Sequence, residues 1–199
     1  MGALVDSWLS GLKKAPFLHS SRLLLRPICV GDVAHIQSSV NDERVCNNLS
    51  YTPHPYTMEM AENWTRNVNY GMANDSCCYW AICDPKTETF IGTMGLSISR
   101  EQEGCEMHYW INADHWNNGY CTEAAKRTVI HVFEDLKMHR LYITHRAGGI
   151  ASKKVIAKCG FVFEGVIRES LKRLGKFEDV ISYSILQNEY LAMKKNGIY

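Results

Sequence analysis

The sequence predicts a mixed α/β fold, a mainly antiparallel twisted sheet of about six to seven strands flanked by helices, and three observations carry that expectation. Alternating apolar segments at 77–84, 89–98 and 105–112 are joined by short polar turns, the pattern of an antiparallel meander. Beyond 119, helical and alternating patterns take turns. A helix must then cross over between the strands near 108 and near 143 and leave them parallel. No linker-like stretch divides the 199 residues, so a single domain over 1–199 is expected, with 1–18 as an N-terminal extension.

In the extension, Leu4, Val5, Trp8, Leu9 and Leu12 recur at helical spacing and predict a short amphipathic helix over 3–14. The segment 21–28 reads as a first strand ended by Pro27. The stretch GDVAHIQSSVND starts a helix with Asp32 in its first turn. After the Pro-rich loop at 51–57, Thr57 opens a second helix with Met60, Trp64 and Val68 on one face. The three meander strands come next. A long helix over about 119–136 then aligns Cys121, Ala125, Thr128, Val129, Val132 and Leu136. A strand at 140–146, a helix at 151–158, strands at 160–167 and 177–186, and a short final helix at 188–195 complete the pattern.

Composition narrows the function classes. Twenty-two Lys and Arg against 21 Asp and Glu leave a formal charge of +1, which gives no support to nucleic acid as a partner. Eight cysteines contain no C-x-x-C pair, and no apolar signal segment opens the chain. Reduced thiols in a cytoplasmic protein are therefore expected rather than a disulfide framework. His115, His131, His139 and His145 lack ligand spacing, so no metal is expected. No run of 18 apolar residues exists to span a membrane.

The stretch from Gly104 to Leu136 organises the rest. A strand ends near Asn112, a polar loop follows, and a helix starts at W-N-N-G-Y-C-T-E. Outward amides at a helix N-terminus form an anion site, and Gly119 lets the backbone approach a pyrophosphate. One glycine alone is equally a turn or cap. Neither a Rossmann nor a Walker glycine pattern is present.

Three separated segments, EMHYWINADHWNNGYCTEAAK, IASKKVIAKCGFVFEGVIRES and GKFEDVISYSIL, together resemble the GCN5-related N-acetyltransferases (GNAT), in the branch typified by the ribosomal-protein alanine N-acetyltransferases. The resemblance covers roughly 19–190 and implies the GNAT fold with acetyl-CoA as co-substrate. In that family a loop [Q/R]-x-x-G-x-[G/A] cradles the CoA pyrophosphate. Its positions fall on Trp116, Asn117, Asn118, Gly119, Tyr120 and Cys121, with Thr122 following. Trp116 replaces the usual Gln or Arg, and Cys121 the usual Gly or Ala. The resemblance also implies that the Tyr109 amide faces the thioester carbonyl, with Trp110 and Ile111 beside the pantetheine arm. A donor aimed at a developing oxyanion is worth about 3 kcal/mol. Gly149 stands where relatives carry an Asn that contacts the arm. Ser152 matches a serine proposed to protonate the CoA thiolate. Lys153 and Lys154 either neutralise a CoA phosphate or are simply solvated surface lysines. A substrate-side glutamate of some members falls on Leu171, and a common His on Glu178.

Acetyl transfer to an amine requires the amine to be neutral. At pH 7 that costs a lysine side chain about 4 to 5 kcal/mol and an α-amino group about 1. An N-terminal acceptor thus needs only a modest base. Glu106 is the first candidate, on the strand face it shares with His108 and Trp110; equally it is a strand carboxylate awaiting a cation. His108 either assists as base or narrows the substrate slot, and Ser152 either protonates the thiolate or caps its helix. The expected activity is direct acetyl transfer to a protein or peptide N-terminal α-amine. A small-molecule amine, or a non-catalytic acyl-CoA-binding module, is the alternative. Either a monomer or a homodimer is compatible with the sequence.

Overall fold

The computed structural model describes residues 15–50, 52–173 and 175–199. The helix expected over 3–14 lies outside the described residues. Eight strands form one sheet: β1 (Leu18–His19), β2 (Leu24–Pro27), β3 (Cys77–Cys83), β4 (Phe90–Ser99), β5 (Gly104–Ile111), β6 (Arg140–Arg146), β7 (Val162–Arg173) and β8 (Lys176–Leu186). Their spatial order is β1-β2-β3-β4-β5-β6-β8-β7. This corrects the expected six to seven: β1 is a two-residue strand set by Leu18 opposite Leu25, too short to show alternation. Strand β7 also runs past its expected end at 167 to Arg173, following β8 across two irregularities of register.

The helices are α1 (Val33–Val40), α2 (Glu43–Cys46), α3 (Met58–Ala73), α4 (Tyr120–Ile130), α5 (Ile150–Lys158) and α6 (Gln187–Lys195). Thr57 caps α3 by accepting from the Met60 amide. The expected 119–136 helix is interrupted. Regular α-helix stops at Ile130 and a π-helical turn spans His131–Asp135, closed by the Leu136 amide donating to His131 O at 3.0 Å. The wider turn keeps His131, Val132 and Phe133 all buried, with His131 edge-on to Trp80.

Alternation along the strands sorts side chains to two faces. On one, Cys105, Met107 and Ile111 of β5 join Leu141 and Ile143 of β6 under α4, α5 and α6 in the larger core. On the other, α1 and α3 cover β3 and β4 through Ile36, Val40, Ala61 and Ala81. The covering helices stop short of β6 and β8 on this second face, where polar side chains line the sheet.

The pairing of β5 with β6 positions the site. It is parallel, as expected, but registers only Gly104 with Arg140, Cys105 with Leu141 and Glu106 with Tyr142. Beyond that point β5 stays with β4 up to Ile111, while β6 stays with β8 up to Arg146. The two central strands therefore diverge, and the β6-facing backbone of 107–111 has no strand partner.

Candidate active site

Glu106 sits at the last paired position before the divergence. Its carboxylate accepts from Tyr142 Oη and Thr144 Oγ1, both at 3.3 Å. His108, two residues on, places Nε2 3.9 Å from Glu106 and 2.9 Å from Ser97 Oγ. Burial lowers the His108 pKa, and the nearby Glu106 charge only partly offsets it. The imidazole is therefore neutral at pH 7. Trp110, third on this face, packs its ring 5.8 Å from Phe90. A cavity of about 210 Å³ runs from Glu106 past Tyr142, Ser97, Ser99 and Gln102.

The other carboxylates on this face are engaged. Glu164 takes both guanidinium arms of Arg140, at 2.5 and 2.7 Å, and both Ser182 and Ser184 hydroxyls. Those donors hold its carboxyl down at about 2. Glu178, where relatives carry His, pairs with Arg146 at 2.6 and 3.0 Å. Arg146 also donates to Asn47 O at 2.7 Å, fastening the α2 end over the sheet. Leu171, at the glutamate position, is fully buried.

The loop before α4 is built by two left-handed residues, Asn117 (φ 63°) and Gly119 (φ 79°), a conformation that costs most L-residues about 1 to 2 kcal/mol. Trp116 turns its indole back onto the strand, donating Nε1–H to Ile111 O at 2.8 Å. Asn118 stitches the loop by donating Nδ2 to His115 O and Trp116 O. Gly119 is the N-cap and no side chain caps the helix. The first helical bond is Glu123 N–H to Gly119 O at 3.1 Å, which leaves the amides from Gly119 to Thr122 without intrahelical partners. Burial pushes the Cys121 thiol well up, so it packs as a small neutral group beside Cys159.

Sequence reasoning missed the anchor of this loop. Arg22, in the turn between β1 and β2, donates Nε to Glu123 at 2.7 Å and Nη1 to Asn118 O at 3.1 Å, with its guanidinium 5.0 Å from the centre of the Tyr120 ring. Glu123 accepts as well from Ser20 Oγ, Ser21 Oγ and the Arg22 amide. Burial raises the Glu123 pKa, but these donors outweigh it and keep the group ionised.

Ser152 and Tyr109 lie on the opposite sheet face from Glu106. Ser152 is in the first turn of α5, half-buried, and its carbonyl accepts from Tyr109 Oη at 3.5 Å, the long end for such a bond. Burial keeps the Tyr109 phenol protonated well above its ordinary range. Lys153 is exposed. At Gly149 a Cβ would lie 3.0 Å from Arg146 O and 3.2 Å from His145 Nδ1. The His145 ring, stacked on Tyr183, thus crowds the place of the usual Asn. Among the described residues no group of three or more His, Cys, Asp or Glu is placed to hold a metal ion. All eight cysteines are free thiols. No helix among those residues is long and apolar enough to cross a membrane.

Two central parallel strands part beside an amide-rich helix start, with the Glu106 carboxylate on the sheet face opposite Tyr109. The chain belongs to the acetyltransferase (GNAT) domain family, whose model matches residues 22–162. It is an acetyl-CoA-dependent N-acetyltransferase acting on an amine. The N-acetyltransferase p20 of Bacillus licheniformis is 25% identical over 87% of this chain and 97% of that protein. Two solved structures show the same fold. The spermidine N-acetyltransferase of Vibrio cholerae, in complex with CoA and spermine, has a TM-score of 0.76 and 23% identity over 86% of this chain and 99% of that one. A ribosomal L7/L12 α-N-protein acetyltransferase in complex with CoA has a TM-score of 0.80 and 17% identity over 87% and 99%.

Proposed function

We propose that this protein, as a single cytoplasmic N-acetyltransferase domain of the ribosomal-protein branch, acetylates the N-terminal α-amine of a protein or peptide. The observation that carries the choice of acceptor is the charge state of the acceptor face. Among the described residues there, Glu106 is the carboxylate with no arginine or lysine, whereas Glu164 and Glu178 are each neutralised by an arginine. A single ammonium finds one carboxylate. A polyamine, carrying further charges, would leave them facing Arg140 and Arg146. The α-amine also costs least to deprotonate, about 1 kcal/mol at pH 7.

The residues fit the donor. The amides from Gly119 to Thr122, without intrahelical partners, suit a pyrophosphate, and the β6-facing β5 backbone from Met107 to Ile111, apart from the Ile111 carbonyl that Trp116 occupies, suits an extended amide-bearing arm. Acetyl-CoA, when bound, supplies the activated acetyl group. Asn117, Asn118, Tyr120 and Cys121 shape the phosphate loop, and Trp116 fixes its root. Trp110 and Ile111 wall the arm, Gly149 leaves it space, and Lys153 offers a surface cation. The Tyr109 N–H would hold the carbonyl oxygen. Glu106 takes the acceptor's proton directly or through one water, its position fixed by Tyr142 and Thr144. His108 narrows the slot, its Nε2 held 2.9 Å from Ser97 Oγ. On the far face the Ser152 hydroxyl protonates the leaving sulfur.

Incubation with acetyl-CoA and a panel of amines, scored by free thiol and product mass, tests the assignment. The relatives' acceptors make a small polyamine the second reading, and spermidine belongs on the panel.

A further inference from the structure

We propose that Arg22 binds the CoA pyrophosphate and supplies, from the β1–β2 turn, the cation that the phosphate loop itself lacks. The inference rests on the reading of the loop as the CoA site. In the family pattern the loop opens with Gln or Arg; here Trp116 occupies that position and its one polar atom is committed to Ile111 O. The loop residues 116–122 carry no basic side chain. Their contribution to an anion is therefore the amides and the helix dipole, equivalent to about half a charge.

Arg22 is held against this loop at three points, by Glu123, by Asn118 O and by the Tyr120 ring. Those contacts use Nε and Nη1. Nη2 makes no hydrogen bond among the described residues, and it lies 3.5 Å from the point where a Cβ on residue 119 would sit. Gly119 thus leaves open the space beside a pre-oriented guanidinium N–H. Half of the Arg22 side chain stays exposed, so a ligand can reach it. The other nearby arginine, Arg44, is spent on Asp42 and Asp114. Lys153 is exposed on α5. A guanidinium with its Nη2 free, fixed beside amides that lack intrahelical partners, is placed to donate to a phosphate oxygen. Because Glu123 partly offsets the charge, the effect is expected to be moderate.

The test compares wild type, Arg22→Gln and Arg22→Lys. Calorimetry with CoA and with 3′-dephospho-CoA measures binding directly, and kcat/KM is measured with acetyl-CoA and with acetyl-pantetheine, which has no phosphates. Arg22→Gln is expected to raise Kd about tenfold for both CoA and dephospho-CoA, and to lose several-fold less kcat/KM with acetyl-pantetheine than with acetyl-CoA. Arg22→Lys, which keeps a cation without the fork, should fall between; it carries the same comparison if the Gln variant does not fold. An unchanged Kd, an equal loss with both donors, or a loss confined to CoA bearing the 3′-phosphate overturns the assignment. Wild-type protein that binds no CoA removes the reading of the loop, and the role of Arg22 with it.

Discussion

The rings of Tyr79 and His108 stack nearly parallel, 5° between their planes and 6.2 Å between their centres, across the bare Cα of Gly95. A Cβ on Gly95 would fall 2.1 to 2.6 Å from the Tyr79 ring atoms. Trp64 packs edge-on against Tyr79 at 5.5 Å and restricts its retreat. Gly95→Ala is expected to cost about 1 to 3 kcal/mol in chemical denaturation and to lower kcat by disturbing His108. Unchanged stability would show that Tyr79 moves freely.

Glu106 and His108 lie 3.9 Å apart, beyond direct hydrogen-bond reach, and mutation separates their roles. Glu106→Gln keeps the Tyr142 and Thr144 contacts but cannot take a proton, and should lower kcat by at least about tenfold. Burial lowers the His108 pKa, so if His108 were the base the acid limb of kcat would lie below the ordinary histidine range. A full-activity Glu106→Gln variant with an unaltered pH profile reassigns the base to His108 or to solvent.

Ser152 and Tyr109 compete for the role of acid. Ser152→Ala is expected to lower kcat with little change in the KM for acetyl-CoA, and Tyr109→Phe to change kcat less. The reverse order, measured in single-turnover thiol release, moves the proton donor to the buried phenol.

Asp32 makes part of the acid sensitivity predictable. Burial raises its pKa, but two hydrogen bonds from Arg26, at 2.6 and 2.8 Å, and one from the Cys29 amide outweigh burial and lower it. A carboxylate whose folded pKa lies below its unfolded one contributes stability that is fully present above about pH 4 and is lost as pH falls through the folded value. Asp32→Asn, which strands Arg26, should cost about 3 kcal/mol near pH 7. The gap between variant and wild type should narrow in urea titrations below about pH 4. A gap constant down to pH 2 would contradict the sign.

β6, whose side chains alternate cleanly between buried and half-buried, was placed to the residue, and β3, β4 and β5 were legible from apolar runs bounded by polar turns. The loop before α4 was legible as a strand–turn–helix junction, with Gly119 at the left-handed N-cap. What joins the site across elements was not. Tyr142 and Thr144 meet Glu106 through a parallel register that leaves no local mark in the sequence. Arg22 meets Asn118 and Glu123 across about a hundred residues of chain. The π-helical turn at His131–Asp135 escaped because a 3.6-residue pattern still looks continuous through one extra residue. Gly149 read as a missing cofactor contact; the His145 ring beneath it supplies a packing reason instead.

Among the described residues of the proposed acceptor face, Glu106 is the carboxylate with no arginine or lysine partner. The most direct measurement of its role is kcat/KM with acetyl-CoA for a short peptide with a free N-terminus, the same peptide blocked at its α-amine, and spermidine. The free peptide should exceed both others by at least about tenfold, with the acetyl group found on the α-nitrogen by mass spectrometry. Spermidine turned over as well as or better than the peptide would contradict the account.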